Sequence, residues 1–203
     1  MSARSVVGDA VAAIKAGEVV ILPTDTVYGL AATAYRSAGR DAVYALKGRD
    51  RRQPTALMTA SLDALFDCVP EFRDRSRRLA AALLPGPYTL VLTNPARRFA
   101  WLCGDDPTSI GVRVPKLAGP GRDVLDAVAA VVATSANLPG GPEPRTFGEI
   151  PQSLRDGAAV VVDGGELPGI PSTVLDLTGR VPRVVREGAG DVDAALARLG
   201  ELV

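Results

Sequence analysis

The sequence predicts an α/β fold, a mixed sheet covered by helices. Short apolar runs bounded by Gly, Pro, Asn or Asp recur along the chain, as buried strands require. Segments of helical periodicity lie between them. The chain has 203 residues, 47% of them hydrophobic, enough for one sizeable core in a single domain over 1–203. Some strands are continuous apolar runs and others alternate, so a simple doubly wound sheet is disfavoured.

The elements follow in order. Val6, Val7, Ala10, Val11 and Ile14 recur at helical spacing, and Gly17 ends the pattern. EVVILPT is a strand, followed by the polar stretch PTDTVYGL at 23–30. Ser37 can cap a helix through DAVYALKG, with Gly48 just past its end. TALMTA (55–60) is a strand; SLDALFDCV and EFRDRSRRLAAALLPG are helices. YTLVLT (88–93) and SIGVRVP (109–115) are strands, with irregular chain between them. GRDVLDAVAA is a helix running into the strand AVVATSAN. LPGGPEPR (138–145) reads as a surface loop. TFGE carries a capping-box pattern, and Pro151 can open the helix QSLRD. AAVVVDGG, STVLDLTG and RVVREG are strands, and Asp191 caps a terminal helix.

Composition excludes several chemistries. Lys+Arg and Asp+Glu are both 23, so no bulk basic charge argues for nonspecific nucleic-acid binding. There is no histidine, which removes His triads, His bases and His metal ligands. Cys68 and Cys103 have no metal or redox spacing, and a reducing compartment is expected. The N-terminus lacks the apolar core of a signal peptide, and no apolar stretch is long enough to span a membrane. A soluble, cytoplasmic protein is expected. P-loop, G-x-G-x-x-G and G-x-S-x-G motifs are missing, and no metal-cage spacing appears.

Two features point to chemistry. Polar residues gather at the ends of apolar strands: Thr24, Asp25, Thr26 and Tyr28; Thr134, Ser135 and Asn137; Ser172 and Thr173; Arg113 and Arg186. Ligand sites of open α/β sheets collect there, although such residues also cap helices and make turns. The second feature is KGRDRR (47–52). Lys47 and Arg49, past a helix end, can aim a point charge and a planar fork into one volume, which suits phosphate or carboxylate. The same loop also reads as a solvated basic end of a helix.

In order along the chain, PTDTVYGL, KGR, PGPYTLVL (85–92), IGVRVP (110–115), SANLPG (135–140), STVLDL (172–177) and VVREGA (184–189) resemble the YrdC-type threonylcarbamoyl-AMP synthase family. The resemblance implies a YrdC-like fold: one domain whose twisted mixed, mostly parallel sheet is flanked by helices around a concave positive cavity. It implies condensation of L-threonine, bicarbonate and ATP to threonylcarbamoyl-AMP and pyrophosphate, with Mg²⁺ held mainly through the triphosphate. A separate tRNA threonylcarbamoyl transferase complex would use the product. It assigns Lys47 and Arg49 to catalysis and the phosphates. It assigns Ser135, Asn137, Ser172 and Arg186 to ATP, and Thr24, Ser109 and Arg113 to threonine. No metal-binding residue is implied. In the stretch PTDTVYGL, Thr24 is expected to touch substrate, Asp25 and Thr26 to brace the turn, and Tyr28 to form a pocket wall. Gly29 is expected to turn the backbone away. Three positions depart from the family pattern. Met58 stands for a histidine, which bears on amino-acid selectivity; Asp50 stands for a proline and Pro139 for a serine. The alternative reading is an RNA-binding module, for double-stranded RNA or tRNA, without this catalysis.

Overall fold

The computed structural model describes residues 3–202. Helix α1 (Ala3–Ala16) ends where Gly17 turns left-handed at φ 93°. Strand β1 (Val20–Pro23) is wholly buried and turns at once into β2 (Tyr28–Thr33), also wholly buried. Helix α2 (Ser37–Lys47) and strand β3 (Ala56–Thr59) follow, then α3 (Leu62–Cys68) and α4 (Asp74–Leu83). Strands β4 (Tyr88–Thr93) and β5 (Ser109–Arg113) pair antiparallel. Helix α5 (Gly119–Val128), β6 (Ala130–Ser135), α6 (Gln152–Gly157) and β7 (Val160–Val161) continue the alternation. The chain closes with β8 (Thr173–Asp176), β9 (Arg183–Arg186) and α7 (Val192–Gly200).

The nine strands among the described residues form one sheet in the order β7-β1-β2-β6-β3-β5-β4-β8-β9. It is mixed, as the sequence predicts. Parallel pairing is nevertheless the minority among the described residues, limited to β1–β7, β3–β5 and β4–β8. The other five pairings are antiparallel. Short links account for two of these: β1 to β2 and β8 to β9 have no room for the crossover that a parallel pair needs.

The alternation of side chains sorts the sheet into two faces. Leu30 and Ala32, Leu57, Leu90 and Leu92, Ile110 and Val112, Val132 and Leu175 point one way into the larger core. That core includes residues of α2, α4, α6 and α7, among them Val43, Leu79, Leu154 and Leu199. Val20, Leu22, Ala31, Met58 and Val131 point the other way, beneath Ala10 and Ile14 of α1 and Val124 and Leu125 of α5. These two helices cover the β1-β2 side of the second face. The same face of β3, β5, β4 and β8 remains concave and lines a cavity.

Several sequence expectations need correction. YGLAAT is a strand; the turn residues before it hide its register. The helix expected from residue 71 begins at Asp74. Arg36, with no side-chain bond, occupies the N-cap of α2, and Ser37 is its first helical residue. Thr146 makes no side-chain cap, and TFGE forms a short 3₁₀ turn. Its Glu149 instead accepts the Arg145 N–H at 2.7 Å. Ser61 and Asp191 are N-caps that accept the N–H groups of Ala64 and Ala194. Gly39 lets α2 lie on the end of β2: a Cβ there would stand 2.1 Å from the Thr33 carbonyl oxygen.

Candidate active site

The cavity holds about 810 Å³. Its floor is the open sheet face: Ala56 and Met58 of β3, Ser109, Gly111 and Arg113 of β5, Thr89 and Val91 of β4. Strand ends and loops add Thr24, Arg49, Thr134, Ser135, Ser172 and Arg186. Seven of the nine residues singled out in the sequence therefore line one volume. Lys47 and Asn137 do not, and lie directly behind it.

The Lys-Gly-Arg spacing has a local cause. Gly48 takes the left-handed C-cap conformation at φ 71°, and its N–H returns to the Tyr44 carbonyl. Lys47 thus stays on the last helical turn, while Arg49 leaves it toward the cavity. Lys47 reaches from the opposite face of the sheet to the end of β6. Its ammonium is ringed by Thr134 Oγ1 (3.3 Å), the Ser135 carbonyl (2.5 Å), Ser135 Oγ (3.1 Å) and Asn137 Oδ1 (2.9 Å). Arg49 donates to Thr134 Oγ1 at 3.0 Å and to the Pro54 carbonyl at 2.7 Å. Its guanidinium lies 5.5 Å from the centre of the Tyr44 ring. The two cations therefore converge on one hydroxyl from two sides. Asp50, the departure beside them, pairs with Arg52 at 3.0 Å.

Burial lowers the Lys47 pKa to about 8, and the nearby Arg49 and Arg186 charges push the same way. The Glu143 carboxylate opposes the shift. Burial also lowers the pKa of Arg186, again against the Glu143 charge. Sequence reading overlooked Glu143. It sits in the loop after Asn137, whose amide donates to the Gly141 carbonyl at 2.7 Å. One Glu143 carboxylate oxygen is buried without a hydrogen-bond partner. Nothing in the Gly- and Pro-rich loop marks it beforehand.

At the far wall, Arg186 donates through Nε and Nη2 to the Ser172 carbonyl, at 3.1 and 2.8 Å. The Ser172 hydroxyl lies 2.8 Å from Thr89 Oγ1. The sequence reading also passed over Thr89, although Thr89 and Val91 share the cavity face of an alternating strand. Ser109 donates to Asp106 at 2.9 Å.

The stretch PTDTVYGL divides differently from expectation. Thr24 lines the cavity, but its hydroxyl belongs to the turn. It donates to the Val27 carbonyl at 2.7 Å and accepts the Thr26 and Val27 N–H groups, each at 3.2 Å. Asp25 and Thr26, expected to brace that turn, reach across to β5. Asp25 pairs with Arg113, and Thr26 Oγ1 accepts from the same guanidinium nitrogen at 2.7 Å. Tyr28, expected as a pocket wall, is fully buried behind the sheet and donates to the Gly165 carbonyl at 2.7 Å. Gly29 does not turn the chain; it lies inside β2 opposite Leu22 and Ser135.

The chain is matched over residues 12–188 by the Sua5/YciO/YrdC family model, described as "Telomere recombination". The chain belongs to the Sua5/YciO/YrdC family. A Mycobacterium tuberculosis member is 36% identical over 194 residues, covering 94% of this chain and 88% of its own. The Homo sapiens member named threonylcarbamoyl-AMP synthase is 36% identical over 181 residues, 83% of this chain and 62% of its own. Among solved structures, Pyrococcus abyssi Sua5 complexed with L-threonine superposes with a TM-score of 0.87 at 28% identity. It covers all of this chain and 59% of the Sua5 chain. Among the described residues no helix is long and apolar enough to cross a membrane.

Proposed function

We propose that this chain is an L-threonylcarbamoyladenylate synthase acting in the cytoplasm. The observation that carries the reading is the gathering of cations at one cavity: Arg113, held by Asp25, lines it together with Arg49 and Arg186, and Lys47 lies behind them, close enough for the Arg49 and Arg186 charges to act on it. One cation suits the carboxylate of an amino acid, and the group suits a triphosphate. Membership of a family with relatives named for this activity supports it.

In this reading the threonine carboxylate lies on Arg113, and Ser109 and Thr24 bound the amino-acid end. The threonine amine and bicarbonate condense to a carbamate with loss of water. A carbamate oxygen then forms a bond to the α-phosphorus of ATP. The bond to the bridging oxygen breaks, and pyrophosphate leaves with the electron pair. No covalent enzyme intermediate is needed. Catalysis consists of holding the reactants in line and neutralising charge at phosphorus.

Arg49 faces the charge that grows on the phosphates, and Lys47 adds its charge from behind the cavity wall, across Thr134 and Ser135. Ser135, Asn137, Ser172 and Arg186 hold the nucleotide, with Asn137 acting from behind through Lys47. The described residues bring together no group of three or more His, Cys, Asp and Glu to hold an ion. In this reading Mg²⁺ enters with the substrate ATP, held mainly through the triphosphate. The product, a mixed anhydride, would pass to a transferase complex acting on tRNA.

Pyrophosphate release tests the reading. Release should require ATP, threonine and bicarbonate together, and release that ignores threonine or bicarbonate would refute it.

A further inference from the structure

The Asp25–Arg113 pair is built across the sheet, between the β1–β2 turn and β5. Both side chains are nearly buried, 10% and 11% exposed. The turn itself does not need Asp25, because the Thr24 hydroxyl already closes it on Thr26 and Val27. Both Asp25 oxygens are committed elsewhere: one to Arg113, the other to the Lys116 N–H at 2.9 Å.

The consequence falls on Arg113. Its Nη2 donates to Asp25 and to Thr26 Oγ1, which uses both hydrogens of that nitrogen. Its Nε is buried with no partner. Arg113 also lines the cavity. One corner of the planar fork is therefore anchored in the protein and Nε is closed off by burial, which leaves Nη1 as the uncommitted part of the fork. An exposed arginine would reach an anion only after losing its rotamer freedom, whereas this one is fixed beforehand. A buried ion pair contributes little to stability against an apolar replacement. Its place on a ligand cavity therefore points to orientation rather than to folding.

We infer that Asp25 is a positioning residue for the amino-acid substrate: it fixes the plane of the Arg113 guanidinium so that the free part of the fork meets a carboxylate. The inference rests on the proposed function for the identity of that substrate. Thr26 assists through the same nitrogen, and the Lys116 N–H holds the second carboxylate oxygen so that Asp25 itself cannot rotate.

The test is threonine binding by calorimetry, alone and with ATP, to the wild-type chain and to Asp25→Ala and Asp25→Asn. Asp25→Ala should weaken threonine by roughly tenfold or more, as expected when a charge-assisted contact loses its geometry. ATP affinity should stay within about twofold. Asp25→Asn keeps one acceptor for Arg113 but sets its NH2 against the Lys116 N–H, so it should recover part of the threonine affinity, which a general loss of structure would not allow. Unchanged or tighter threonine binding in Asp25→Ala overturns the inference. So does an equal loss of threonine and ATP in Asp25→Asn, the variant least disturbing to folding. A wild-type chain that binds no threonine would instead defeat the proposed function, so the two failures are distinguishable.

Discussion

Lys47 and Arg49 donate to the same hydroxyl, that of Thr134, at 3.3 and 3.0 Å. One comes from the last turn of α2 and the other from the loop beyond Gly48. Thr134 is thus the point at which the two cations are held a fixed distance apart. Thr134→Val keeps shape and removes the acceptor. Lys47 retains Ser135 and Asn137, whereas Arg49 keeps one hydrogen bond, to Pro54, and its contact with the Tyr44 ring. The KM for ATP should rise roughly tenfold, the scale of a lost hydrogen bond to a charged group, and that for threonine should not. Steady-state kinetics with each substrate varied checks this.

Lys47 gives opposite pH effects on activity and stability. Its pKa is lowered from 10.5 to about 8 by burial first. Between those values the unfolded chain binds the proton and the folded chain does not. This group therefore raises stability as pH climbs from about 8 toward 10.5. Its charged form, which the phosphates need, is lost over the same range, so kcat/KM for ATP should decline above pH 8 or so. Lys47→Ala should remain folded, lose turnover and lose this slope in stability. A pH series of denaturation curves beside a pH–rate profile tests both signs.

Glu143 sets where that decline begins. Its carboxylate raises the Lys47 pKa against burial and the arginines. Glu143→Gln should move the alkaline limb of the pH–rate profile to lower pH, with the protein fully folded. An unmoved limb would show that Glu143 does not reach Lys47.

Gly39 ties the helix that carries Lys47 to the sheet. A Cβ there would meet the Thr33 carbonyl oxygen at 2.1 Å. Gly39→Ala should destabilise by about 1–3 kcal/mol through overpacking and weaken ATP along with stability. Urea denaturation and ATP titration of the variant provide the check.

Most of the sheet was legible in the sequence because its strands are apolar runs with turn residues at their ends. Tyr28–Thr33 escaped because it follows β1 after a turn too short to stand out. The family resemblance carried by the ordered segments named seven residues that share one cavity. What it did not reveal was direction. Thr24 and Asp25 are adjacent polar residues of one turn, and their partners lie in different places. Thr24 bonds within its own turn, while Asp25 bonds Arg113, 88 residues away. The hidden position of Lys47 has the same origin: its acceptors lie 87 to 90 residues on, at the end of β6.

The central claim is that one cavity joins threonine, bicarbonate carbon and AMP. The most direct measurement incubates the protein with carbon-labelled bicarbonate, threonine and MgATP, and follows the label by mass spectrometry. The account predicts the label in a compound that contains both threonine and AMP, formed in step with pyrophosphate. Pyrophosphate formed without that labelled compound, or no turnover with all three substrates present, would contradict it.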